Sequence, residues 1–281
     1  MKNDLSKITQ VVIVTYNPDI PLLKKNVLAL NKQFEHILII DNGSNNISEI
    51  KRIISELNHE IKIISYKNNQ GIAYALNYAL NIAIKKKLEW LLSMDQDTVI
   101  PDNFSDNYLG ILEQEKNVAL LGWTTAKKNT ETFETFDIIT SGCLINVEKA
   151  NVIGGFNNDL FIYHVDTDVT LRMKEVGRTL VTNSVKVDHH DGEIGKHRSL
   201  SGKILKDHSM IARYYTTRNS IYLLKKNFLK HPIFSLRSFV YFPLQENTYF
   251  LFYSNNKYGD MKIMCKAFWD GWLNRLGKYD E

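Results

Sequence analysis

Asp95 and Asp97, with Gln96 between them, are the first residues in this 281-residue chain whose type and spacing could do chemistry. They follow the apolar run Trp90-Leu91-Leu92-Ser93-Met94. In extended backbone, side chains two residues apart share a face, so both carboxylates can converge on one divalent cation. A hard ion such as Mg²⁺ or Mn²⁺ takes oxygen ligands and commonly shares them with substrate phosphates. The same stretch also suits a helix start, with Asp97 or Thr98 as the cap before Pro101. A calcium loop does not fit, because the required glycine and closing glutamate are missing after Asp95. Only two cysteines occur, Cys143 and Cys265, so a disulfide framework and a multi-cysteine zinc site are both excluded. Both are expected to be reduced in a cytosolic protein. Cys143 has no His or Lys close in sequence to activate it, and reads as core packing.

The elements that must position such groups alternate along the first half. Residues 11–14 are β-branched throughout and end in Thr15-Tyr16-Asn17-Pro18, where the proline stops pairing. Residues 22–30 have helical spacing, 37–40 form the next strand, and Asp41-Asn42-Gly43-Ser44 is a turn cluster before a helix over 47–57. Residues 61–64 read as a third strand. Asn68-Asn69-Gln70-Gly71 then opens a helix with Ile72, Leu76, Ala79, Leu80 and Ala83 on one side. Residues 90–94 are the fourth strand. Wholly apolar strands separated by helices predict an α/β fold, with a mostly parallel sheet covered on both faces. Ligands of such sheets bind at the carboxyl ends of the strands. Each polar cluster (15–17, 41–44 and 95–97) falls at such an end.

Beyond Pro101, residues 118–122, 138–147 and 179–187 read as strands, and 166–176 as a helix stopped by Gly177. From Ser209 onward the chain is helical, basic and aromatic. The expected organisation is one catalytic domain over 1–200 and a C-terminal helical appendage over 201–281. Charge divides the same way: from Lys196 on there are 15 Lys+Arg against 6 Asp+Glu, within an overall net charge of +4. The preceding part is therefore acidic. An acidic body with a basic tail suggests one region that holds cations and one face that meets anions. No signal-peptide pattern follows Met1, and the longest uncharged stretch, 68–84, is interrupted by five amides. Neither a leader nor a membrane span is expected. Nucleic-acid binding is disfavoured by the acidic body and the lack of a recognition motif.

Taken together, Thr15-Tyr16-Asn17, Asp41-Asn42-Gly43-Ser44, Asn69-Gln70-Gly71, Asp95-Gln96-Asp97 and Val165-Asp166 with Arg172 resemble the inverting glycosyltransferases of family 2. Within that family the chain looks most like bacterial rhamnosyltransferases of surface polysaccharide assembly, where the strand-end triplet tends to read Asp-Gln-Asp. The resemblance implies a GT-A fold, a Rossmann-like, mostly parallel sheet with helices on both faces. It also implies a divalent metal (Mn²⁺ or Mg²⁺) and a nucleoside-diphosphate sugar, here dTDP-L-rhamnose. The implied acceptor is a glycan or lipid-linked saccharide.

Carried onto this sequence, the resemblance assigns Thr15, Tyr16 and Asn17 to the base and ribose pocket and Asp41 to the base edge or ribose. Asn69 and Gly71 approach the donor, as does Gln96; Asp95 faces the ribose or metal, and Asp97 binds the metal. Asp166 is the implied base that takes the acceptor's proton in a single displacement. It fills the second place of the family's acidic pair, with Val165 where Glu is usual. Asp168 is its rival, and capping of the helix by Asp166 or Thr167 is the bland alternative. His189, favoured over His190 by alternation with Val185 and Val187, is a further metal ligand by resemblance. Ser141-Gly142-Cys143 is expected to border the acceptor.

In the tail, Arg218 (with Arg213) is expected to meet the diphosphate, or the aromatic and basic residues to lie on an anionic membrane surface. Ordinary core helices would explain them equally. A cytoplasmic enzyme at the inner membrane face is the resulting expectation. A sugar-nucleotide pyrophosphorylase is a poor fit, because no glycine-rich loop follows the first strand. A non-catalytic nucleotide-sugar-binding scaffold is disfavoured by the presence of both Asp97 and Asp166.

Overall fold

The computed structural model describes residues 4–57, 61–126, 128–189, 197–198, 204–205, 209–241, 244 and 256–279. Two compact units are formed, Met1–Asn157 with Asp166–His190, and Asn158–Val165 with Asp191–Glu281.

The first unit follows the apolar periodicity. Helix α1 (Leu5–Ile8) leads into β1 (Thr9–Thr15), then α2 (Ile20–Asn31), β2 (His36–Asp41), α3 (Ile47–Leu57), β3 (Lys62–Ser65), α4 (Ile72–Lys85) and β4 (Trp90–Asp95). A short β5 (Thr98–Val99) precedes α5 (Phe104–Gln114), β6 (Val118–Trp123), β7 (Thr132–Glu134), β8 (Cys143–Asn146) and α6 (Val147–Val152). Helix α7 (Val165–Met173), β9 (Arg178–Thr182) and β10 (Asp188–His189) complete it. Eight strands form one mixed sheet in the order β3-β2-β1-β4-β8-β6-β9-β7. Strands β8 and β7 run against their neighbours, while the β1–β2, β1–β4, β2–β3 and β6–β9 pairs are parallel. The carboxyl ends of β1, β2, β3, β4, β6 and β9 therefore share one edge.

Alternation along the strands fills both faces. Val11, Ile13, Ile39, Leu92 and Met94 join Leu23, Val27 and Leu30 of α2 and Ile50, Ile53 and Ile54 of α3 in one core. Val12, Leu38, Ile40 and Leu91 are also buried and point the other way, where α4 packs with Ala73, Leu76, Ala79 and Leu80. Each of the Val, Leu, Ile and Met side chains contributes about 1.5–3 kcal/mol by leaving water. Asp19 caps α2 by accepting from the Leu22 N–H at 2.8 Å.

Two expected strands are shorter than the sequence suggested. Of residues 138–147 only Cys143–Asn146 pairs, because the chain turns at Gly142, whose φ of +70° is left-handed. There the Gly142 N–H donates to Ser93 O at 2.8 Å, and a Cβ on Gly142 would lie 2.9 Å from the Trp123 ring. The stretch 179–187 stops pairing in the large sheet after Thr182. Residues Asp188–His189 pair antiparallel with β5 instead.

In the second unit, α8 (Met210–Asn227), α9 (Pro232–Leu236) and α10 (Lys257–Trp272) confirm a helical C-terminal region. Helices α8 and α10 meet closely at Gly271, where a Cβ would run into the Arg218 carbonyl oxygen. Tyr214, Tyr215 and Ala267 form its core with Phe161, Tyr163, Ile263 and Tyr279. No helix among the described residues is long and apolar enough to cross a membrane.

Candidate functional site

The turns at the ends of β1 to β4 are bound to one another by side chains that the sequence had singled out. Asp41 is fully buried and accepts four hydrogen bonds: from Thr15 Oγ1 at 3.1 Å, from the N–H groups of Gly43 and Ser44 at 3.2 and 3.1 Å, and from Ser65 Oγ at 3.2 Å. These four bonds fix the Asp41 carboxylate between the turns that follow β1, β2 and β3. Asn17 takes a left-handed φ of +48°, its N–H donating to Ser44 Oγ and its Oδ1 accepting from the Asn45 N–H, both at 2.8 Å. The Tyr16 N–H donates to Gln96 Oε1 at 2.8 Å, and the Tyr16 ring is half exposed.

Asn42 ties in the third turn. Its Nδ2 donates to Gly71 O at 3.1 Å and its Oδ1 accepts from the Gln70 N–H at 3.0 Å, while Asn69 Oδ1 accepts from the Gly71 N–H at 2.8 Å. Gly71 has a φ of +86° and opens α4 without a side-chain cap. Thr15, Tyr16, Asn17, Asp41, Asn69, Gly71 and Gln96 are thus brought into one network.

Asp95 is pinned from two sides. Its carbonyl accepts from Asn26 Nδ2 at 2.7 Å, and its N–H donates to Ser141 Oγ at 3.0 Å, which in turn donates to Thr98 Oγ1 at 2.7 Å. Asp97 carries a buried Oδ1 with no hydrogen-bond partner. A buried carboxylate oxygen left without a donor is costly, and suits a hard cation. Among the described residues no group of three or more His, Cys, Asp or Glu side chains gathers. Two carboxylates alone would leave most of a cation's coordination to water and phosphate oxygens, which Mg²⁺ tolerates well. His189 pairs through its backbone with Thr98, next to Asp97. His190 lies outside the described residues.

Asp166 stands in the first turn of α7 and is partly buried. Its Oδ1 accepts from the Thr167 N–H at 2.8 Å, while Thr167 Oγ1 donates to Asp137 Oδ1 at 2.9 Å. Two carboxylates therefore meet at Thr167. Desolvation raises the carboxyl of Asp166; desolvation and the Asp166 charge push Asp137 up to about 7. Asp168, the rival base, is buried and held by Arg172, with Nε at 2.8 Å and a second guanidinium nitrogen at 2.6 Å. Burial, then the Asp166 charge, pushes the Cys143 thiol far up, leaving it inert as expected of a packed side chain.

Arg218 belongs to the second unit. It is 1% exposed, and its nitrogens donate to Asn219 Oδ1 and to the carbonyls of Gly277, Asp159 and Leu160. The charge expected to meet a diphosphate is instead spent on backbone carbonyls that helix α8 faces. Two participants escaped the sequence reading. Asp137 lies in a loop with no periodic signal. Asn26 could have been noticed, as a polar residue on the otherwise apolar stripe Leu23, Val27, Leu30 of α2.

The sheet order and the turns at its strand ends are features of a GT-A fold, and solved glycosyltransferase structures match. TarS (residues 1–349) of S. aureus superposes over 95% of this chain and 81% of its own at a TM-score of 0.60, with 15% identity. The mannosyltransferase PcManGT of Pyrobaculum calidifontis, solved with GDP-Man and Mn²⁺, covers 95% of this chain and 75% of its own at 0.56, with 14% identity. Residues 10–176 match the sequence model of Glycosyl transferase family 2. The chain belongs to that family and is a glycosyltransferase. The dTDP-rhamnosyl transferase RfbF of Shigella flexneri is 28% identical over 92% of this chain and 94% of its own length.

Proposed function

We propose that this enzyme moves L-rhamnose from dTDP-L-rhamnose onto a hydroxyl of a lipid-linked or oligosaccharide acceptor in bacterial surface polysaccharide assembly. The near full-length similarity to RfbF is the observation that carries the choice of donor. In this reading Tyr16, with Thr15 and Asn17, lines the base and ribose pocket, and Asp41 fixes that wall. Asn69 and Gly71 bring the start of α4 towards the donor, where the helix terminus favours an anion. Gln96, bonded to the Tyr16 backbone, joins the base pocket to the Asp95–Asp97 turn.

Asp95 and Asp97, with His189, would hold the divalent cation, Mn²⁺ or Mg²⁺, which when bound neutralises charge on the departing diphosphate. Asp166 takes the proton of the attacking acceptor hydroxyl as the new glycosidic bond forms and the dTDP oxygen leaves with the old bond's electrons. A raised proton affinity suits that task. Peripheral contact with the cytoplasmic face of the membrane is part of the reading. Residues 225–237 hold Lys225, Lys226, Lys230 and Arg237 with no acidic residue, and Leu229 and Ile233 there are 92% and 84% exposed.

A thermal-shift panel of dTDP-, UDP- and GDP-sugars with Mn²⁺ or Mg²⁺ tests the donor, since a ligand stabilises according to its concentration over its dissociation constant. dTDP-rhamnose should give the largest shift. Asp97→Ala should reduce the metal-dependent part at least tenfold in apparent affinity. A larger shift with another nucleotide sugar, or no effect of Asp97→Ala, overturns the reading.

A further inference from the structure

At the carboxyl ends of β6 and β9 lies a cavity of about 530 Å³ that the strand-end network does not use. Trp123, Thr124, Thr125, Lys128, Asn183, Val185, Lys186 and Val187 line it, with no Asp or Glu among them. Its volume suits one or two sugar rings. We propose that this cavity is the acceptor subsite, and that it takes a saccharide carrying a phosphate or carboxylate.

Three observations carry the assignment. The first is the lining. The Trp123 ring is half-buried and held in place, its Nε1 donating to Ser141 O at 2.9 Å while Gly142 packs against its edge. A fixed indole presents a flat, electron-rich face that attracts the C–H groups of a pyranose. Thr124, Thr125 and Asn183 supply donors and acceptors for its hydroxyls.

The second is charge. Lys128 and Lys186 are exposed at the cavity, and neither has a carboxylate partner among the described residues. The Lys128 Nζ lies 3.9 Å from the centre of the Phe133 ring, a cation–π contact that holds the ammonium group without cancelling its charge. Two unneutralised ammonium groups in a recess without acidic residues favour an anionic ligand. The third is placement. Ser141, whose carbonyl accepts from Trp123, also holds the Asp95 N–H through its hydroxyl. One residue thus couples the cavity wall to the turn proposed to face the donor.

The inference rests on the transferase reading, and its test separates the two. The full-length protein is saturated with dTDP and Mg²⁺ to fill the donor site. Binding of N-acetylglucosamine 1-phosphate, digalacturonate and neutral N-acetylglucosamine is then measured by calorimetry. At least one charged saccharide should bind tenfold or more tightly than the neutral one. Binding by the 1-phosphate alone identifies a phosphate-reading site, and by digalacturonate alone a uronate-reading one.

Lys128→Gln with Lys186→Gln should weaken the charged ligand at least tenfold and leave the neutral one unchanged. Trp123→Leu should weaken both, with dTDP affinity retained as the check on folding. Equal affinity for charged and neutral saccharides, or a double lysine variant that binds like the parent, overturns the proposal. Loss of dTDP binding by the parent protein would instead count against the transferase reading.

Discussion

The two units of this chain bury polar groups for opposite ends. In the sheet unit, the core is aliphatic and the polar side chains are collected at one edge, where Asp41, Asn42 and Ser141 brace turns. One carboxylate oxygen there, on Asp97, is left without a partner. In the C-terminal unit several large polar side chains are inside and engaged, although the buried Ser235 Oγ has no hydrogen-bond partner among the described residues. Arg218 and Asn219 hold the carbonyls of the 158–163 stretch, and Tyr214 donates to Asp270 at 2.7 Å. Several of its aliphatic residues are on the outside, Leu229 and Ile233 most of all. A group with every partner in place supports structure, and one with a partner missing is ready for a ligand. By that criterion Asp97 is a residue of the sheet unit with capacity for a ligand, whereas Arg218 and Asn219 support structure.

The largest effect should come from Asp166→Asn, which should lower transfer about 10³-fold with dTDP affinity retained. Full transfer by that variant, in a radiolabelled-sugar assay, would remove the chemistry from the place assigned to it. Arg218→Met should cost about 3 kcal/mol in denaturant stability, because four acceptors lose their donor in a buried site. A variant of normal stability with weakened dTDP binding would show that Arg218 serves the donor after all.

Asp137→Asn should act on pH dependence. Desolvation and the Asp166 charge push Asp137 up to about 7 and desolvation raises Asp166, so activity needing both carboxylates ionised should rise with pH through that range. Removing the Asp137 charge lowers the remaining carboxyl's proton affinity, and the rising limb of log kcat/KM should move to lower pH. Among the described residues nearby in the chain, Asp168 of α7 is paired with Arg172, and Lys174 lies over the Phe136 ring. An unmoved limb would make Asp137 a purely structural partner of Thr167. The smallest effect on stability, within about 0.5 kcal/mol, belongs to Leu229→Ser with Ile233→Ser, since both side chains are already in water. That variant should nevertheless lose co-sedimentation with vesicles containing phosphatidylglycerol, and unchanged sedimentation would leave the exposed surface without its membrane role.

Much of the site was legible because strand ends are legible. Apolar runs that stop at Thr15, Asp41 and Asp95 place those residues at one edge of a parallel sheet with no further information. The sequence by itself therefore determined the elements, the direction of most strands and the residues at their ends, since hydrophobic period and turn chemistry are local properties. Only the tertiary structure decided which of those residues still have capacity for a ligand. Asp41 and Arg218 look available in sequence and have their hydrogen-bonding capacity taken up in the fold; Asp137 looks idle and meets Asp166 across Thr167. Hydrogen-bond saturation and charge proximity depend on residues far apart in the chain, and only packing brings them within range.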